Sequence, residues 1–423
     1  MSGLLLSLWI ATIAADRIDM LGGHGAFILT PFLALTPLVM ASELARHQMR
    51  ARAVRLSRGA ILYALLGAAL VTVVVTSVLV ADDFATSASR ASLLVADITA
   101  TFAVAILSAD REDLPTVLAR GALLAFVLFF WFDVTEALWF IGRGPESMRI
   151  GSVIFHFDAL QNAGPLPRLA GPVGDGNRAG FVLVFYAALI AAGERRAWLR
   201  RASLGLIVLF FLATASRSAS MAGVAAFTMA ALTGRVKLSP VALLVTTMVV
   251  GAAAVVVLAK PNLVKTVLTT VERPLAERVS TGEGSASSHV ELIERGVSTA
   301  TESIPHAFIG IGFGDAFRVL QDMFPGNRYG NFHSLYVTMF AESGIVALAI
   351  TLVLLCGPLF VGGAWRPLIA GAIAFNIFYQ ATAEPVFWFL LAMAWRTMPL
   401  FQLHASIDEQ SGASHRATLR APT

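Results

Sequence analysis

Charge is what this 423-residue chain has least of: Asp, Glu, Lys and Arg together make up 14%. A soluble domain carries roughly 25%, because its surface must hold water. With 57% hydrophobic residues and a mean hydropathy of +0.74, most of this chain belongs in lipid. A soluble enzyme and a disordered chain are excluded on that ground. Cysteine is almost missing. Cys356 stands alone inside an apolar run, so no disulfide within the chain and no cysteine metal cluster can form. Internal repeats are lacking too. The apolar stretch after Met1 lacks the basic flank of a secretory leader and is followed by more apolar runs. It reads as a first anchor.

What is present is a series of apolar runs. A bilayer core about 30 Å thick needs about 20 apolar residues per helix. That ruler predicts about twelve spans, at 2–16, 21–42, 59–80, 91–108, 117–139, 177–193, 199–214, 217–234, 238–258, 334–361, 365–381 and 384–402. Lys and Arg in short loops then set orientation. Arg46, Arg50, Arg52, Arg55 and Arg58 follow the second run, and Arg111 and Arg120 follow the fourth. Arg195, Arg196, Arg200 and Arg201 follow the sixth, Arg235 and Lys237 the eighth, and Arg366 the tenth. These are alternate loops, and the short loops between them carry little beyond Arg17 and Arg90. Both termini are therefore expected in the cytoplasm. The basic balance, a net +4, has a topological cause, and nucleic acid is not an expected partner.

The reading gives an all-α polytopic membrane domain over 1–402 with a tail over 403–423, polar, without periodicity and expected to be disordered. Two long loops, 140–176 and 259–333, fall on the outer side. The second has seven Lys/Arg against eight Asp/Glu, so its surface is close to neutral. Ser288 followed by Glu291 is a capping-box pattern, and Leu292, Ile293 and Val297 add an apolar stripe. An amphipathic helix is expected over 289–303, and a second from Ala316 to Phe324, capped by Asp315 and stopped by Pro325-Gly326.

The chemistry-bearing residues lie at the outer ends of the runs. His333 sits at the mouth of the tenth span, where a neutral imidazole can take a proton from a hydroxyl. A histidine there can equally cap a helix at the interface. Arg217 interrupts two apolar runs. An arginine near lipid costs about 2.5–3.5 kcal/mol on lenient scales. It calls for an anionic partner, a diphosphate above all, or it snorkels to the headgroups. Arg178 sits similarly. Asp97, Asp133 and Glu136 are intramembrane acids, read first as partners of arginines on other helices. Glu342 reads as an orienting group. Gly310 to Asp315, "GIGFGD", superficially matches a dinucleotide fingerprint, but no strand precedes it; a tight turn bringing backbone amides to a cleft is expected instead. His156, Asp158 and His306 lack metal-ligand spacing.

His333-Ser334, followed after nine residues by Gly344, resembles the His-[Asn/Ser/Gln]-x9-Gly-x-x-[Gly/Thr/Tyr] pattern of the O-antigen ligase and O-antigen polymerase superfamily. The last position here is Ala347. Asn177 in "GDGNRAGFVLVF", Arg217 in "ATASRSASMAGVAAF", and the stretch "RVSTGEGSASSHVELIERGV…IPHAFIGIGFGDAF" are similar to further family segments. Where that family often carries arginine, this chain has His289, leaving Arg278 and Arg295 as the nearby candidates for substrate contact. The resemblance implies a fold similar to the C-type membrane glycosyltransferases. It implies transfer of a glycan from undecaprenyl diphosphate to an acceptor hydroxyl at the periplasmic face of the bacterial inner membrane, with no cofactor and no metal. His333 would be the base. Arg217, Arg178, Arg278 and Arg295 would neutralise the diphosphate, and Asn177 and Ser334 would line the substrate site. A ligase accepts on lipid A–core; a polymerase accepts on a second lipid-linked repeat. Only the second outer loop is large, which favours the ligase. A twelve-span transporter or flippase is the alternative of another class, and it would need midplane polar sites and a repeated half.

Overall fold

The computed structural model describes residues 2–22, 29–50, 54, 56–157, 161–162, 167–214, 216–234, 290–323, 325, 330–361 and 363–398. Helices account for most of them: α1 Ser2–Thr12, α2 Pro31–Met49, α3 Arg58–Val78, α4 Phe84–Ser108, α5 Leu114–Phe140, α6 Gly176–Gly193, α7 Ala197–Thr214 and α8 Arg217–Leu232. The outer segment adds α9 over 290–301, α10 Ile304–Ile309 and α11 Ala316–Val319. The chain ends with α12 Leu335–Val361, α13 Arg366–Phe375 and α14 Pro385–Arg396.

Local chemistry sets many of the starts. Ser57, Asp83, Asp175 and Ser216 each accept a hydrogen bond from an amide in the first turn of the helix that follows. Such side-chain oxygens satisfy donors that have no intrahelical partner. Proline opens α2, α13 and α14, where its missing N–H costs nothing.

Among the described residues, six helices are long and apolar enough to cross a membrane: α3, α4, α5, α6, α7 and α12. α1, α13 and α14 are apolar but shorter. A helix stands at every expected span except 238–258, which lies outside the described residues, as does the 403–423 tail. Among the described residues the count of about twelve complete crossings is thus not reached by length and composition. α14 shows one reason. Pro385 through Trp395 are all buried, and a helix apolar on every side belongs inside a bundle. It packs between α3, α4 and α12, so its apolarity serves protein packing before lipid.

Three differences from the sequence expectation stand out. The second helix starts at Pro31, ten residues later than expected, with Thr30 as its cap, and before it Ile18–Asp19 pairs as a strand. That strand, β1, joins β2 Ser147–Ile150 and β3 Val153–His156 in an antiparallel sheet ordered β1-β3-β2. Gln161–Asn162 and Pro167–Arg168 make a second two-stranded ribbon, β4 with β5. Strands of two to four residues leave too little alternation to read in a sequence. The third difference is α11, which ends at Val319 instead of Phe324, and Asp315 makes no side-chain cap bond to it.

The scarce charges meet in pairs at the two ends of the bundle. At the end away from the sheet, Glu43 takes Arg46 at 2.7 Å and Arg111 at 2.7 Å, all three side chains less than a tenth exposed. Arg46 and His47 also bond the Leu107 carbonyl, and Arg396 meets Asp110. At the sheet end Arg17 pairs with Glu136 and lies over the Phe132 ring. Asp133 accepts the Gly171 amide at 2.9 Å. The pairing expected for Glu136 is therefore present, whereas Asp133 uses backbone. Replacing Glu43 by alanine takes a buried carboxylate from two guanidinium groups, leaving Arg46 the Leu107 carbonyl and Arg111 the Asp113 carboxylate. The expected cost is about 3–5 kcal/mol, seen as a lower unfolding temperature of the detergent-purified protein, with Glu43→Asp intermediate.

Candidate functional site

The site is built around the start of α12. Its 27 residues are not one continuous helix: Gly344 has φ 81° and ψ 178°, outside helical space. The break exposes carbonyls of the preceding turn. Ile311 N–H donates to Ala341 O at 2.9 Å, and Gly312 N–H to Glu342 O at 3.1 Å. The Glu342 side chain then accepts the amides of Gly314 and Ala316. The glycine turn of 310–314 is thus docked onto the break from both sides. Gly310, Gly312 and Gly314 all have positive φ, which side chains resist. The Phe313 amide donates to Ser77 Oγ, tying the turn to α3. Glu342 thus organises the turn, and the turn's amides are taken up by Ser77, Ala341 and Glu342 instead of facing a cleft as expected.

His333 lies just before α12. It is the one non-glycine residue with positive φ among those described, at 52°. Its amide donates to Asn331 Oδ1, a local bond that helps hold a conformation costing about 1–2 kcal/mol. Its ring stands edge-on to Tyr379, centroids 6.3 Å apart. Ser334 is buried and donates to the Asn376 carbonyl at 3.4 Å. Leu335 N–H also reaches the 376–379 turn. The loop after α13 therefore fixes the histidine from below.

Tyr379 links His333 to a second group. Its hydroxyl bonds the Asp175 carboxylate, the cap of α6. Next to that cap is Arg178, whose guanidinium pairs with both Asp16 and Glu384 and reaches the Val173 carbonyl. Asp97, from α4, lies within electrostatic reach of the same group. Asn177 points the other way. Its Oδ1 accepts from Arg168 and from Ser216 Oγ at 3.0 Å, so α6 is joined to the α7–α8 turn. Arg217 follows directly, exposed at the first position of α8. Asn177, Arg178, Arg217, His333 and Ser334 are therefore brought to one end of the bundle.

Arg295 sits apart from that line. It lies on α9, about half exposed, 3.8 Å from the Asp322 carboxylate. α9 itself rests beside His333, since a side chain at Gly296 would strike Phe332 and Val337. Arg278 and His289 lie outside the described residues. Sequence reasoning passed over Asp16, Asp175, Tyr379 and Glu384. Their only signal is position: each stands at or near the end of an expected span, on the same side as His333.

Residues 202–352 match the family model described as O-antigen ligase. The matched stretch begins in α7 and ends in α12, and it takes in Arg217, Arg295 and His333. No curated protein matches the chain. The apolar helices place the chain among multi-pass membrane proteins. The family match bears out the resemblance to the O-antigen ligase and polymerase superfamily, and that family implies glycosyl transfer of ligase or polymerase type on lipid-linked glycans.

The docked break gives a direct test. A Cβ at Gly344 would lie 2.1 Å from the Phe308 carbonyl oxygen, at a backbone angle that alanine resists. Gly344→Ala is expected to cost about 2–4 kcal/mol, read as a lower unfolding temperature and faster proteolysis around 303–315. An unchanged cleavage pattern would show that the turn does not depend on the break.

Proposed function

We propose that this protein is an O-antigen ligase-type glycosyltransferase. It moves a glycan from undecaprenyl diphosphate to a sugar hydroxyl of lipid A–core at the periplasmic face of the inner membrane. The observation that carries this reading is His333, within the family-matched stretch, one ring contact from Tyr379 and its Asp175–Arg178 neighbours. The architecture proposed with it is about twelve spans in a 1–402 membrane domain, with periplasmic segments 140–176 and 259–333, similar to the C-type membrane glycosyltransferases.

In this proposal His333 accepts the proton of the acceptor hydroxyl as its oxygen forms a bond to the anomeric carbon. The bond from that carbon to the diphosphate oxygen breaks, and the lipid diphosphate leaves with the electron pair. Negative charge grows on the leaving group, and fixed cations stabilise it most where water is scarce. Arg217, Arg278 and Arg295 supply that charge. Arg178 contributes only as its pairs to Asp16 and Glu384 open, so its field is partly spent. Asn177 and Ser334 shape the site. No cofactor or metal takes part in the scheme.

A polymerase that joins two lipid-linked repeats would use the same residues. The transporter reading keeps one supporting observation, the charged group of Asp16, Asp97, Arg178 and Glu384 inside the bundle. His333→Asn separates these readings. Asparagine tolerates the left-handed backbone but supplies no base at neutral pH. Transfer should fall by about 10²–10⁴-fold at normal protein level. Full-length polymer left on the carrier lipid marks a ligase; surface glycan cut to single repeats marks a polymerase; unchanged surface glycan removes the catalytic role. Arg217→Lys keeps charge but loses the planar fork. It should retain part of the activity that Arg217→Ala loses, measured as initial rate in membranes.

A further inference from the structure

The end of the bundle away from His333 carries an uncompensated basic patch. Arg195, Arg196, Arg200 and Arg201 follow one another where α6 passes into α7. One carboxylate, Glu194, stands beside them. It takes the Arg196 guanidinium at 3.1 Å, and its backbone carbonyl takes Arg200. Arg195 and Arg201 are exposed, with no acidic partner among the described residues. A helix start favours acids, yet α7 has none in its first turn.

Arg120 joins the patch from α5. The two helices start side by side, since a Cβ at Gly193, the last residue of α6, would strike the Pro115 carbonyl. Higher up, the Phe210 ring of α7 meets Phe126 and Phe130 of α5, centroids 5.2 and 6.2 Å apart. From that bridge, Arg120 lies about 12 Å down α5 and Arg201 about 14 Å down α7, at 1.5 Å per residue. The two guanidinium groups therefore leave their helices at one depth, and Arg120 is within electrostatic reach of Glu194.

Between this depth and the bridge the surface is apolar and open. Leu124, Leu206 and Val208 are exposed, and only 17% of the α7 span is buried, the least of the six. Gly205 is the opening: a Cβ there meets nothing within 4 Å among the described residues, although glycine weakens a helix interior. Trp198, 69% exposed, stands where tryptophan marks a membrane interface. A topological bias accounts for arginines anywhere at this end. It does not account for cations from two helices at one depth, directly beyond an open apolar strip.

We infer that this patch binds an anionic phospholipid with two phosphates, of the cardiolipin type. One phosphate meets the α7 arginines and the other Arg120, while an acyl chain lies along the strip at Gly205. The inference does not rest on glycosyl transfer.

The test titrates cardiolipin into the full-length, detergent-purified protein and counts bound lipid by native mass spectrometry. Arg120→Gln with Arg201→Gln should raise the apparent Kd about 25-fold, about fivefold for each arginine. Both side chains are exposed, so the unfolding temperature should not move. Gly205→Phe removes no charge and should weaken binding by filling the strip. Arg50→Gln with Arg52→Gln removes equal charge from another loop of the same end and should leave Kd within about twofold. An equal loss in that control would overturn the site, since any cations at this end would then serve. Phosphatidylglycerol binding as tightly at equal phosphate would overturn the two-phosphate fit. Displacement of the lipid by equimolar inorganic diphosphate would overturn the role of the strip.

Discussion

A charge withdrawn from water costs several kcal/mol unless a counter-charge and hydrogen bonds meet it. With only 14% charged residues, that constraint organises the bundle. Glu43 joins Arg46 on its own helix to Arg111 beyond α4. Arg17 and Glu136 close the first helices against α5. Arg178 draws Asp16 and Glu384 together from opposite ends of the chain. Each pair fixes where helices meet, so the ionic contacts act as register marks in a core that is otherwise apolar and tolerant of sliding. The same constraint shapes the site, where the cations best placed by the fold are also the ones partly neutralised by it.

The second organising feature is the broken α12. A continuous helix would hide every carbonyl in its own ladder. At Gly344 the ladder opens, and the 310–314 turn takes up the freed carbonyls of Ala341 and Glu342. This is how a loop distant in sequence becomes part of the His333 neighbourhood. The end of α10 meets the break at one glycine, where a Cβ would lie 2.1 Å from the Phe308 carbonyl oxygen. The nine-residue spacing between Ser334 and Gly344 then acquires a physical meaning: it is the length of helix between the His333-Ser334 pair and the break.

Much of this was legible beforehand. Helices stand at eleven expected positions because about 20 apolar residues in lipid leave little choice but a helix. His333, Arg217 and Arg178 stood out as candidates because polar residues at the ends of apolar runs are conspicuous, and Asn177 through the family resemblance. Ser57, Asp83, Asp175 and Ser216 mark helix starts through chemistry local to one turn. The small sheet of β1, β2 and β3 was not visible, since its pairing joins residue 18 to residue 155. Asp16, Tyr379 and Glu384 went unremarked for the same reason: each looks ordinary until its distant partner is placed.

The sequence by itself determined the membrane class, the helical content, the family resemblance and the residue types at the mouth of α12. These follow from composition and from interactions within a few residues. Tertiary structure alone decided which helices bury all their faces, as α14 does, and that Arg178 is held by two carboxylates. It also decided that Glu342 serves the glycine turn. Those outcomes depend on contacts across hundreds of residues, where desolvation must be offset by whatever the packed bundle brings near.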